Sequence, residues 1–343
     1  MHTENIYCHI NIDNHSLIPK YLQLTNSILK GIELGKLSKN YFLPSINNLS
    51  YELDISRDTA EKAYRHLKNV GVLGSVPGKG CFIAKTNVEQ KFKILLLFNK
   101  LSAHKKIIYD SIITVLGKKA AIDFHVYNND FLLFKKILSE VKDIYSHVVM
   151  IPHFFDGGEG AYDLINQLKC PNLILLDKKI AGITRSFGAV YENFEKDIFN
   201  ALEQALPKLN KYKTIKIICP SYTYFPEEIL QGFFSFCRKY DYNYRVVNSI
   251  ADETIKEGEA YINLMEDDLA VLLDKIQQTQ LKAGIDVGII SYNETPLKRF
   301  ILDGITTIST NFAQMGEATA RMILNNKLSR LEVPFTLMLR ASL

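Results

Sequence analysis

The sequence predicts an α/β protein, with a small domain of mixed helix and strand at the N-terminus and a much larger region built on parallel sheet. Three observations carry that expectation. The first 86 residues show three short helical patterns followed by a pair of strands around a glycine turn. From residue 94 onward, apolar runs of four or five residues alternate with amphipathic helical stretches. The 343 residues exceed one ordinary domain and hold a small one and a large one comfortably.

From Pro19, residues Tyr21, Leu22, Leu24, Ile28, Leu29 and Ile32 recur at helical spacing and stop at Gly35, which suits the turn that closes a helix. Pro44 and Ser45 open a second, short helix with the stripe Ile46, Leu49 and Leu53, and the Ser45 hydroxyl is placed to cap it. After a turn at Asp54-Ile55, Ser56 caps a third helix that buries Ala60, Ala63, Tyr64, Leu67 and Val70 and closes at Gly71. Residues 72–76 and 81–83 read as strands around Pro77-Gly78-Lys79-Gly80. Two helices joined by a tight turn make a helix-turn-helix, whose second helix enters a major groove; a hairpin beside it is a wing. Its glycines let the backbone approach a phosphate, and Lys79 supplies charge at the tip.

The segments PKYLQL, LPSINNL, ISRDTAEKAYRHL and GVLGSVPGKGCFI resemble, in order and spacing, the DNA-binding domain of the GntR family over about residues 17–84. The resemblance implies DNA contacts at the start of the third helix and at the wing tip, by position Ser56, Arg57, Thr59, Gly78 and Lys79. Arg57 is the foremost candidate, because a guanidinium can bond two acceptors of one guanine or clamp a phosphate. Ser45, Asn47 and Lys62 complete the set. Many members carry arginine where this chain has Asn47 and Glu61. Asn47 can still donate to a phosphate or a base, whereas Glu61 cannot meet a phosphate favourably, so the family's usual half-site is not assumed. Lys62, Arg65 and His66 offer replacement groups on the outer helix face, with Lys62 placed to reach DNA.

A polar stretch follows, which divides the chain into residues 1–86, a linker at 87–91 and a larger domain at 92–343. Strands are expected at 94–98, 124–127, 148–151, 173–176, 215–218, 244–247, 260–264 and 287–290, with helices at 105–117, 131–142, 195–209, 227–240 and 267–280. Ligands of such folds sit beyond the carboxyl ends of the strands. The polar residues there are Asn99 and Lys100, Asn128 and Asn129, His153, Asp177 and Lys178, Tyr222, Glu266 and Asp267, and Asn293 and Glu294. Phe154, Phe155, Tyr224 and Phe225 stand among them, a mixture suited to a polyol whose hydroxyls bond to amides and carboxylates while its apolar face stacks on a ring.

LILLDKK, INLMEDDLA, IISYNET and GITTISTNFAQMGEATARMIL, spread in order over about 92–330, resemble the sensor domain of LacI-type repressors, which is similar to periplasmic sugar-binding proteins. That resemblance implies two α/β lobes with a cleft between them and ligand roles for Asp177, Glu266 and Asn293. With Asn99, His153, Lys178, Tyr222 and Glu227 these form the candidate effector set. The arginine that often begins the helix near Gly232 is absent, and Pro226-Glu227-Glu228 is acidic. With Glu227 and Glu266 in the cleft, a neutral monosaccharide is expected rather than a phosphorylated or carboxylated ligand. Glu227 and Asp267 also suit the first turn of a helix, where the dipole favours acidic groups.

Composition bounds the function. With 47% hydrophobic and 23% charged residues the chain is globular, and of its +4 net charge most is N-terminal, where 10 basic residues face 7 acidic ones. The five cysteines are scattered, the eight histidines have no metal-ligand spacing, and no nucleophile motif is present. Gly157-Gly158-Glu159-Gly160 lacks the lysine of a phosphate loop and carries a glutamate instead, which reads as a plain loop. No apolar run approaches the length of a membrane span. The expectation is a cytoplasmic, homodimeric regulator without metal or cofactor, which binds a palindromic duplex and is controlled by a monosaccharide. The alternative is an α/β enzyme acting on a small sugar, with an incidental head.

Overall fold

In a computed structural model, which describes residues 6–13, 19–86, 91–141, 145–221 and 224–343, the head forms from three helices and a hairpin. Helices α1 (Lys20–Glu33), α2 (Ile46–Glu52) and α3 (Arg57–Asn69) enclose a core in which Leu24, Ile28, Leu49, Ala60, Ala63 and Leu67 are fully buried. Both serine caps occur: the Ser45 hydroxyl accepts from the Asn48 amide and the Ser56 hydroxyl from the Thr59 amide, each at 3.1 Å. The Tyr64 hydroxyl donates to the Pro44 carbonyl at 2.6 Å and ties α3 to the entrance of α2. Strands β1 (Leu73–Val76) and β2 (Gly80–Ile83) pair antiparallel, and the turn between them needs Gly78 at φ 78° and Gly80 at φ 100°. His66 departs from expectation: it is 6% exposed rather than on the outer face, and burial lowers its imidazole pKa. The buried stripe of α3 widens toward its C-terminal end, where His66 follows Ala63 by one turn.

Residues 87–90 of the expected linker lie outside the described residues, and β3 (Phe92–Phe98) opens the larger region. There follow α4 (Ala103–Leu116), β4 (Ala120–Val126), α5 (Phe131–Ser139), β5 (His147–Met150), α6 (Ala161–Asn166), β6 (Asn172–Asp177) and β7 (Phe187–Tyr191). These five strands are parallel in the order β7-β6-β5-β3-β4. In β3, Ile94, Leu96 and Phe98 face α4 while Leu95 and Leu97 pack on the opposite side with Phe134, so both faces are covered. That is why residues 94–98 of β3 form one unbroken apolar run.

The second lobe holds α7 (Phe194–Leu209), β8 (Thr214–Ile218), α8 (Glu227–Lys239), β9 (Asn243–Val247), β10 (Glu259–Asn263), α9 (Glu266–Gln277), β11 (Val287–Tyr292) and β12 (Thr306–Thr310). The chain then returns: α10 (Phe312–Asn325) packs on α4 and β13 (Arg330–Glu332) extends the first sheet, before β14 (Phe335–Met338) joins the second sheet antiparallel to β12. Each sheet has six strands, and the chain passes between lobes three times, after β7, after β12 and after β13. Two glycines allow the closest helix pairs: a Cβ on Gly316 of α10 would stand 2.5 Å from the Ile108 carbonyl, and one on Gly232 of α8 would stand 2.2 Å from the Glu195 carbonyl.

The expected strands all form, with shifts of a few residues, but β7, β12, β13 and β14 are not among them. The loop from β6 to β7 contains no helix, so the βα alternation that marks the other strands is absent there. Strands β13 and β14 have only three and four residues, and most of their positions are half-buried or exposed.

Candidate functional site

The candidate DNA contacts lie at the start of α2, on the first turns of α3 and in the hairpin turn. Ser45, Asn47, Ser56, Arg57, Gly78 and Lys79 are exposed, and Thr59 and Lys62 are half-buried. Ser45 and Ser56 are committed to their caps, and Ser56 also meets the Thr59 hydroxyl at 2.7 Å. Arg57 is the first residue of α3, so its side chain leaves the helix at the end where the amide dipoles favour an anion. The Lys62 ammonium lies 2.9 Å from Asp58 one turn earlier, a pairing that a phosphate would have to displace.

A cavity of about 510 Å³ lies between the two lobes, bordered by the carboxyl ends of β3, β5, β6, β10 and β11. Of the effector candidates, Asn99, His153, Asp177, Glu266 and Asn293 line it. Tyr222 lies outside the described residues. Two others are elsewhere. Lys178 pairs with Glu228 at 3.0 Å, and the exposed Glu227 occupies the first turn of α8, where it complements the helix dipole instead of facing a ligand. The acidic cleft wall expected from Glu227 is therefore missing.

Residues that the sequence reading left out of the site complete the wall. Lys105 projects from the first turn of α4 and ion-pairs with Asp177, both nearly inaccessible. His153 Nε2 lies 3.0 Å from the same carboxylate. Burial pushes the Asp177 pKa up, but the Lys105 ammonium and then His153 hold it well below the usual carboxylate range. Glu192, just after β7, is raised well above its ordinary value by burial and by the neighbouring Asp177 charge. Asp177 is thus an anchor, held in the left-handed region at φ 72°, more than a free ligand group.

Burial also lowers the pKa of His153, so the neutral ring donates from Nε2 to Asp177 and leaves Nδ1 as an acceptor with no partner. Asn99 Nδ2 donates to Asn129 Oδ1 at 2.7 Å, which leaves Asn99 Oδ1 unpartnered; Asn293 Oδ1 and the Tyr292 hydroxyl are likewise buried without a partner. A buried polar atom left unpaired is costly, so these groups await hydrogen-bonding partners. Phe155, Phe194, Tyr224 and Phe225 supply aromatic surface, with the Tyr224 ring 5.1 Å from that of His153. Lys298 Nζ donates to the carbonyls of Tyr292 at 3.2 Å and Asn293 at 2.5 Å. Lys105, Glu192 and Lys298 each stand several residues beyond the apolar runs legible in the sequence, so nothing local marks them as part of the site. Among the described residues no group of three or more metal-ligating side chains stands together, and no helix is long and apolar enough to cross a membrane.

Comparison with known proteins bears on both parts. Residues 20–83 match the family model described as bacterial regulatory proteins, gntR family. The chain is 33% identical over 91 residues to the HTH-type transcriptional repressor NagR of Bacillus subtilis (strain 168), covering 26% of this chain and 37% of that one. It is 28% identical over 74 residues to the arabinose metabolism transcriptional repressor of Geobacillus stearothermophilus, covering 22% and 20%. The matched part thus spans between a fifth and two fifths of these curated relatives. Among solved structures, a LacI family transcriptional regulator from Enterococcus faecalis V583 with bound ribose superposes with a TM-score of 0.59 at 17% identity, over 73% of this chain and 98% of that one. A dimeric Lac repressor with a C-terminal deletion gives 0.61 at 13% identity, over 73% and 98%. The head is a GntR-type helix-turn-helix domain, and the larger region has the two-lobed α/β fold of LacI-type regulators.

Proposed function

We propose that this chain is a sequence-specific DNA-binding transcription regulator whose affinity for its operator is set by a sugar-class molecule in the cleft between the two lobes. Residues 1–86 would be the reading head, 87–91 the linker and 92–343 the sensor, working in the cytoplasm as a homodimer on a palindromic site. One observation carries the reading. A chain with a GntR-type head places unpartnered acceptors on Asn99, His153 and Asn293 around an interlobe cavity of about 510 Å³, within the roughly 300–1,000 Å³ typical of small-molecule sites. Acceptors without donors suit hydroxyls, and the aromatic rings beside them suit the apolar face of a sugar.

Ligand held by both lobes would favour their closed arrangement, and the three chain crossings are where such a hinge must bend. Closure shifts the head only if the ligand prefers one arrangement over the other.

Footprinting on the DNA upstream of the protein's own operon, with and without carbohydrates, tests the whole reading. Arg57→Ala is expected to weaken specific binding by about 1–3 kcal/mol if the guanidinium reads a guanine. An equal loss on random duplex would assign it to a phosphate instead. In the sensor, a saturating carbohydrate at about a hundredfold over its Kd should stabilise the fold by about 2.7 kcal/mol. Asn293→Ala should remove most of that shift, whereas an unchanged shift would exclude Asn293 from the ligand's surroundings.

A further inference from the structure

We propose that the effector is an anionic sugar, with its charged group held by Lys100 and Lys298 at the N-terminus of α4 and its hydroxyls by Asn99, His153 and Asn293. This deepens the sugar-sensor reading and rests on it. Its starting point is the charge inside the cavity. Asp177 is neutralised by Lys105 across an ion pair, and burial together with the adjacent Asp177 charge disfavours a second negative charge on Glu192. The remaining acidic groups of the wall, Glu266 and Asp267, are exposed at the start of α9.

Against them stand two further ammonium groups. Among the described residues no carboxylate lies within ion-pairing distance of Lys100, whose pKa is lowered by burial and by the Lys105 charge. Lys298 is 2% exposed, and its nearest carboxylate is Glu266 Oε1 at 3.8 Å, the outer limit of a pair. Its other partners are the carbonyls of Tyr292 and Asn293, which carry only partial charge. A buried cation without a full counter-charge is held at a cost that an incoming anion relieves.

The direction of α4 adds to this. Its first turn lines the cavity through Ala103 and His104, so the positive end of a 14-residue helix faces the same space. Beside it, Asn99 is 2% exposed with Oδ1 unpartnered, which requires a donor and hence a ligand that also carries hydroxyls. A phosphate ester and a uronate share this chemistry, an anion on a polyhydroxy ring.

Thermal shift and calorimetry on the full chain decide the matter, with neutral pentoses and hexoses each paired with their phosphate ester and their uronic acid, and inorganic phosphate as a separate probe. One charged class should stabilise the protein while its neutral parent does not, and which class does so identifies the anion. Lys100→Gln, a half-buried position, should fold normally and weaken the charged ligand roughly ten- to a hundredfold, the range for a charge-assisted hydrogen bond. Lys298→Met gives a second, independent loss. A neutral sugar that binds as tightly as its charged derivative overturns the proposal and leaves the sugar sensor standing. Inorganic phosphate that reproduces the full shift overturns the sugar part. If no carbohydrate of any class shifts the transition, the sensor reading fails and this proposal with it.

Discussion

Asp177→Asn should destabilise the larger region by about 3–5 kcal/mol, the range for removing one partner of a buried ion pair. The reason lies in what stays behind. Lys105 is 3% exposed, and the asparagine would leave its ammonium with an amide oxygen where a carboxylate had been. His153 would lose the charge that orients its Nε2 proton, and with it the fixed acceptor at Nδ1. Urea denaturation of the parent and the variant measures the change. Glu192→Gln is the matched control, because burial and the Asp177 charge already disfavour an ionised Glu192, and an amide of similar shape removes that charge altogether. Loss in Asp177→Asn with no loss, or a gain, in Glu192→Gln supports the pairing of charges, whereas an Asp177→Asn loss within about 0.5 kcal/mol, the size of an ordinary surface change, would refute it.

Acidification is expected to weaken the fold well before the carboxylates titrate. His147 is 1% exposed, its Nδ1 meets the Ser146 hydroxyl at 3.1 Å and its ring packs edge-on against Phe92 at 5.7 Å. Burial, with the nearby His66 as a smaller contribution, pushes its pKa down to about 3, while in the unfolded chain the ordinary value of 6.5 holds. Below pH 6.5 the unfolded state therefore binds a proton that the folded state refuses. Stability present above that pH is lost as pH falls toward 3, by about 1.4 kcal/mol per pH unit for this one group.

At two units below its ordinary value, His147 alone costs about 2–3 kcal/mol. His66 and His153, also lowered by burial, act in the same direction. Glu192 acts in the opposite one: raised in the folded state, it favours the fold as pH falls toward its ordinary value of 4.5. The Asp177 contribution, from a depressed pKa, is lost only below the ordinary value of 3.8. Denaturation at pH 7, 6 and 5 should show a falling stability that His147→Gln flattens and Glu192→Gln steepens. Parallel pH profiles for all three proteins would rule this out.

Local grammar was readable in this chain. Ser45 and Ser56 act on amides three residues away, and Gly78 and Gly80 act within their own turn, so their roles follow from neighbours in sequence. The runs in β3, β5 and β6 were readable for a related reason: helices cover both faces of those strands, so their central residues are apolar. Strand β7 was not, because its approach from β6 lacks the helix that announces the others.

By its sequence alone, the chain determined a three-helix head with a glycine-tipped hairpin, a βα-repeating region behind it, and five of the eight effector candidates that line the cavity, since strand ends point where the sheet points. Only the tertiary structure decided what those residues do. Lys105 lies 72 residues from Asp177, and Glu192 reaches it from a strand the sequence had not announced. Their contact turns a presumed ligand carboxylate into a neutralised anchor. Glu227, placed in the cleft by order along the chain, spends its charge on its own helix dipole, and Lys298 comes in from the opposite lobe. The charge that a ligand meets is a sum over groups distant in sequence, each weighted by burial and by its partners, and such a sum exists only once the chain has folded.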